Sequence, residues 1–220
     1  MQAEMDGRIV LLHLRQALGR PDGLFMLAAN MLPVVGVFTA GWDAFSVVVF
    51  YWCETLIVAF WSLVRLGAAT KGNILDKLTQ PLLVTLHAGA FMYVHLILIH
   101  SAFGGHPGAS FGAVPGLVFA RVMEQGLWVP LAGLFAVRGI LTLFELRTPP
   151  ESHPVMGLYV RIVVMQLTVI FGGFLAFIIG TVAGVILLAV VKSVADLLAE
   201  PIIAWLRKME PGNATPPGPR

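Results

Sequence analysis

The chain has 220 residues, 58% of them hydrophobic and only 12% charged, with a mean hydropathy of +0.86. Soluble domains carry roughly 25% charged residues, so this composition excludes an ordinary water-soluble domain and points to a polytopic membrane protein. The formal charge of +2 comes from cations beside apolar runs, which argues against a nucleic-acid partner, and the single Cys53 excludes an intrachain disulfide and any Cys-based metal motif.

Residues 1–20, MQAEMDGRIVLLHLRQALGR, mix charges through the apolar positions, so no cleavable signal peptide is expected there. They read as an amphipathic helix at the membrane surface, with Ile9, Leu12 and Gln16 along one side and Arg8, Arg15 and Arg20 available to anionic headgroups. A bilayer core of about 30 Å needs roughly 20 helical residues, which sets the span lengths that follow. Spans are expected at about 23–41, 43–67, 81–103 and 127–146. After His153-Pro154 the chain stays apolar for about twice the length of one span, so it must turn, and Gly180-Thr181 is the place to do so. That gives a fifth span at about 155–179 and a sixth at about 182–203. Gly172, Ala176, Gly180 and Gly184 recur every four residues around this turn, which suits a tight hairpin or, as the weaker reading, a homo-oligomer face. The expected fold is therefore all-α, a helix bundle of about six spans over residues 21–206, preceded by the interfacial segment 1–20 and followed by a disordered tail at 207–220.

Charge outside the spans sets the orientation. Arg8, Arg15, Arg20, Arg65, Lys71, Lys77, Arg147, Arg207, Lys208 and Arg220 fall on one side and only Arg121 on the other. The positive-inside rule then places both termini in the cytoplasm. The segment GGHPGASFGAVPG, Gly104 to Gly116, becomes an outer loop rich in Gly and Pro that could partly re-enter the membrane.

Ionisable residues inside spans are costly, so they face the bundle interior, pair with one another or line a polar cavity. Tyr51, Glu54, Trp61 and Arg65 share one helical face, Arg138 shares a face with Glu145 one heptad on, and Lys192 and Asp196 have the i,i+4 spacing of an ion pair. With Arg161 these residues suggest an inner polar cluster, in which Glu54 offsets Arg138 first and Arg161 next because Glu54 and Arg138 both fall near mid-span. A plainer reading makes them ion-paired helix staples. The histidines of LHAGAFMYVHLILIH, Leu86 to His100, are harder to explain. His87 and His95 lie about 12 Å apart along a helix and about 80° around it, so they cannot chelate one metal ion from that helix. His100 sits near the interface, and no second histidine faces His87 across the bundle to suggest a haem. No metal or other cofactor is expected, and His87 and His95 read as hydrogen-bonding or proton-relay groups.

These residues also carry a resemblance. Asn30-x-x-Pro33-x-x-Gly36 with Gly41-Trp42, YWCE at Tyr51 to Glu54, HAGAFMYVH at His87 to His95, RIVV from Arg161 and KSVAD from Lys192 to Asp196 resemble, in that order, the bacterial membrane family DUF6498 over about 24–198. The resemblance implies an integral membrane protein without an assigned activity, and it supports singling out Glu54, His87, His95, Arg161, Lys192 and Asp196. Gln166 stands where the pattern leads one to expect a histidine, which puts any shared metal site in doubt.

Two functions follow as expectations. The first is a non-enzymatic membrane protein that binds or passes a small polar or anionic solute, a proton or a lipid headgroup through Glu54, His87, His95, Arg138, Arg161, Lys192 and Asp196, the in-span cations favouring an anionic ligand. The second is an intramembrane hydrolase with Glu54 as general base and His87 or His95 as metal ligand or oxyanion stabiliser. FMYVH is similar to the F-x-x-x-H element of CAAX-protease-like membrane enzymes, but the paired glutamates of that family are absent, since Cys53 precedes Glu54.

Overall fold

Long apolar runs bounded by Gly, Pro and Asp become long helices. The computed structural model describes residues 21–69, 73–104, 108–146 and 178–209, together with 159, 162–163, 166–167, 170–171 and 174–175 between them. Six helices are delimited: α1 (Pro21–Ala40), α2 (Ala44–Ala69), α3 (Ile74–Phe103), α4 (Val114–Glu124), α5 (Trp128–Glu145) and α6 (Thr181–Met209). The described positions from 159 to 179 are also helical, and there is no strand among the described residues.

The boundaries have local causes. Gly41, at φ 67°, takes the left-handed conformation that stops α1, and two residues later Asp43 caps α2 by accepting from Ser46 N at 2.8 Å. Trp42 stands between them. Its indole packs over Gly36, where a Cβ would collide with the ring, and its Nε1 donates to Gln125 O at 3.1 Å. Gly126, at φ 67°, separates α4 from α5, and Gly180, at φ 92°, ends the helical positions before α6, at the turn expected from the sequence.

Side-chain contacts fix the directions of the central helices. Trp52 Nε1 donates to Met92 O at 3.1 Å, and the Phe45 and His100 rings meet at 5.9 Å, so α2 and α3 are antiparallel. Trp61 Nε1 donates to Phe135 O at 3.1 Å while Arg65 reaches Glu145, so α2 and α5 run parallel. The bundle therefore has a Trp42 end, holding the starts of α2 and α5 and the end of α3, and an Arg65 end, holding their opposite termini. α6 packs chiefly on α1 and also meets α2. Val47, Val48, Val49, Phe50 and Tyr51 of α2 are wholly or almost wholly buried, which makes α2 the central helix.

Among the described residues, three helices are long and apolar enough to cross a membrane: Ala44–Ala68, Pro81–Phe103 and Trp128–Glu145. They match three of the six expected spans within about two residues, in keeping with the usual uncertainty of helix ends. The apolar stretch of α1, Leu27–Ala40, is shorter than the roughly 20 residues a span needs. Two expectations change. The outer Gly/Pro loop gives way at Val114 to an eleven-residue helix, α4, whose Val114 and Val118 are buried against the bundle. α6 runs on to Met209, three residues into the segment expected to be a disordered tail. The expected surface helix at 1–20, Arg161, and the Gly172 and Ala176 positions lie outside the described residues.

Candidate functional site

The most buried charge in the described structure is Lys192 on α6, 1% exposed. Its Nζ lies 2.8 Å from Asp196 Oδ2, one turn along the same helix, and 3.0 and 3.2 Å from the two oxygens of Glu54 on α2. It also donates to Asn30 Oδ1 on α1, and it stands 5.1 Å above the centre of the Tyr51 ring. Such a lysine would cost several kcal/mol if left unpaired in a low-dielectric interior, and here three acceptor side chains and an aromatic face surround the ammonium.

Asn30 ties the cluster together. Its Nδ2 donates to Asp196 Oδ2 at 2.9 Å, its Oδ1 accepts from Lys192, and its main-chain oxygen accepts from the Tyr51 hydroxyl at 2.9 Å. One residue of α1 thus meets both α6, through its side-chain amide, and α2, through its main-chain oxygen. Two carboxylates face one ammonium here, a formal charge of minus one among the described residues. Glu54 Oε2 is buried and, although close to Nζ, lies off the hydrogen-bonding direction and accepts no hydrogen bond. The centre is closed, since the side chains of Lys192, Glu54 and Asp196 are 2, 11 and 14% exposed.

Of the sequence candidates, Glu54, Lys192 and Asp196 are brought together. The expected pairing of Glu54 with Arg138 is overturned: Glu54 pairs with Lys192, while Arg138 Nη1 lies 3.8 Å from Glu145 Oε1. Helix register is the reason. α5 is placed so that Phe135 and Gly139 meet Trp61, which puts Arg138 level with residues about 10 Å or more along α2 from Glu54. Arg65 Nη1 joins the same carboxylate at 2.6 Å, on Oε2, forming a second charged centre at the Arg65 end.

The histidines separate. His87 is exposed on α3, edge-on to the Tyr159 ring at 5.6 Å, beside a cleft of about 120 Å³ lined also by Ala88, Phe91, Ile162 and Val163. His95 is buried, and neither of its ring nitrogens has a hydrogen-bond partner among the described residues. Neither histidine is paired with Glu54, and among the described residues no group of three His, Cys, Asp or Glu side chains is placed to hold a metal ion. Gln166 is buried and donates from Nε2 to Met92 Sδ at 3.1 Å.

Asn30 was missed as a site residue by sequence reasoning. The available signal was a lone amide in an otherwise apolar helix, where an unsatisfied Asn would be expensive.

The sequence pattern of DUF6498, a family of unknown function, matches residues 11–211. The chain belongs to the DUF6498 family. No curated protein and no solved structure matches it. Within this DUF6498 chain, two of the segments that carried the resemblance fall on the central pair of helices, YWCE supplying Tyr51 and Glu54 on α2 and HAGAFMYVH the middle of α3. Lys192 and Asp196 of KSVAD complete the buried centre with Asn30.

Proposed function

We propose that this DUF6498 protein is an integral membrane protein in which the centre formed by Asn30, Tyr51, Glu54, Lys192 and Asp196 takes up a proton or a small monovalent cation. Membrane insertion is supported by the three long apolar helices and by large apolar side chains left on their outer faces, such as Leu83, Leu86 and Leu98 on α3 and Ile140, Leu143 and Phe144 on α5. The positive-inside rule assigns the Arg65 end to the cytoplasm, because Arg65, Lys71, Lys77 and Arg147 lie in the sequence beside the α2 and α5 termini at that end, and a bacterial inner membrane is the setting that fits the family resemblance.

The observation that carries the functional reading is the closed pairing of one ammonium with two carboxylates. Residual charge in a water-poor interior is costly, and a bound proton or cation would cancel it. This sign argues against an anion at the Lys192 centre. Glu54 Oε2, which accepts no hydrogen bond, is the acceptor such a guest would use.

The test is flux and binding in reconstituted liposomes. With a pH-sensitive dye inside, the wild type should collapse an imposed proton gradient, or sodium or potassium should raise its thermal stability, and Glu54→Gln should abolish the response. A wild type that neither conducts protons above empty liposomes nor responds to either cation would refute the reading and leave the centre as a helix staple.

A further inference from the structure

We infer that the Arg65–Arg138–Glu145 centre is a binding site for a phosphate group, carried by an anionic phospholipid at the Arg65 end of the bundle. It is separate from the Lys192 centre and shares with the proposed function only the placement of α2 and α5 across a membrane. The two guanidinium groups come from different helices and approach different oxygens of one carboxylate, Arg65 at Oε2 and Arg138 at Oε1. The Glu145 carboxylate thus occupies the place between two guanidiniums where a phosphate would dock. Guanidinium is the side-chain group best matched to phosphate, because its planar fork offers parallel donors.

Depth and access agree with this assignment. Arg65 is four residues from the end of α2 and Glu145 is the last residue of α5, so the centre lies where the apolar part of both helices stops. That is the level of lipid phosphates if the helices span a bilayer. The side chains of Arg65 and Glu145 are 29 and 23% exposed, in contrast to the closed Lys192, and Arg138 approaches Glu145 from the more buried side at 15%. The site is also built rather than floppy. Trp61 donates to Phe135 O and lies against Gly139, where a Cβ would run into the indole, so α2 and α5 are locked in the register that brings the two arginines together. On the same face of α5, between Arg138 and Glu145, the Thr142 hydroxyl is fully buried and has no hydrogen-bond partner among the described residues, a polar atom that a ligand oxygen or a bridging water would satisfy.

The experiment uses the full chain in neutral detergent, with native mass spectrometry in a mixture of phosphatidylglycerol and phosphatidylcholine and a thermal-shift titration with inorganic phosphate. Glu145→Gln removes the resident competitor and should raise affinity roughly tenfold or more, a gain that misfolding could not produce, and Arg65→Gln with Arg138→Gln should lower it by a similar factor. Selective retention of phosphatidylglycerol without a shift by inorganic phosphate supports the lipid headgroup as the source. A phosphate shift that follows the same variants supports the phosphate site but assigns it to a free anion. If the Glu145→Gln protein binds both probes no better than wild type, the inference is overturned, whatever the double variant does.

Discussion

Lys192 on α6 and Glu54 on α2, 138 residues apart in the chain, meet at 3.0 Å inside the helix bundle. Asp196 shares the same ammonium at 2.8 Å. The centre is therefore a triad of charges with one more acid than base, and its three members should not be equivalent when removed.

Lys192→Met should be the most damaging single change, because it leaves two buried carboxylates facing each other, at a cost of about 3–5 kcal/mol by analogy with broken buried pairs. Glu54→Gln or Asp196→Asn leaves one acid opposite one base and should fall within about 1 kcal/mol of wild type, since a lost charge interaction is offset by cancelling the residual charge. Unfolding in mixed detergent micelles measures the ranking. Equal losses for all three variants would mean that the excess negative charge is compensated by something other than a guest ion.

Asn30 and Tyr51 give a second comparison. Asn30→Leu removes hydrogen bonds to both Lys192 and Asp196, each to a charged group, so a loss of about 3 kcal/mol is expected. Tyr51→Phe keeps the ring below the ammonium and deletes only the hydroxyl bond to Asn30 O, for about 0.5–1.5 kcal/mol. Detergent unfolding of the two variants side by side should show Asn30→Leu clearly the weaker. The reverse order would mean that the Tyr51 hydroxyl bond between α1 and α2 outweighs the Asn30 amide bonds between α1 and α6.

The parallel run of α2 and α5 predicts membrane sidedness. In a Cys53→Ser background, single cysteines at Asn73 and Leu146 should react with an impermeant maleimide from the same side of the membrane, and one at Gly108 from the opposite side. Labelling of all three from one side in sealed vesicles would remove α3 and α5 as membrane-crossing helices.

How much of this was legible beforehand depended on the range of the interaction. The three long apolar helices and the Gly180 turn follow from runs and breakers within one segment, and Lys192–Asp196 and Arg138–Glu145 follow from helical periodicity alone. The pairing of Glu54 was not legible, because it depends on which helices adjoin and at what axial offset. Equal depth in separate spans suggested Arg138, whereas packing of Phe135 and Gly139 on Trp61 moves Arg138 toward Arg65 and leaves Glu54 to α6. α4 was hidden for another reason. At eleven residues, between a Gly/Pro-rich segment and a tight turn at Gly126, it carries too short an apolar pattern to stand out from a loop.

His95 supplies the last prediction. It is 4% exposed on α3, and neither ring nitrogen has a hydrogen-bond partner among the described residues. Burying a polar group without a partner costs roughly 1–3 kcal/mol in mutational data, so a side chain chosen for stability alone would be apolar here. His95→Leu should consequently leave the protein as stable as wild type or stabilise it by up to about 3 kcal/mol, while His95→Asn, smaller and equally polar, should destabilise it. Thermal unfolding in nanodiscs reads both. A His95→Leu protein that is stabilised yet loses the proton or cation response would make His95 a group kept for function at the expense of stability. A clear loss of stability in His95→Leu would instead mean that the imidazole is hydrogen-bonded in the folded protein, to a water or a bound molecule, and the ring would then belong to a hydrated path and not to the dry core around Leu96 and Ile99.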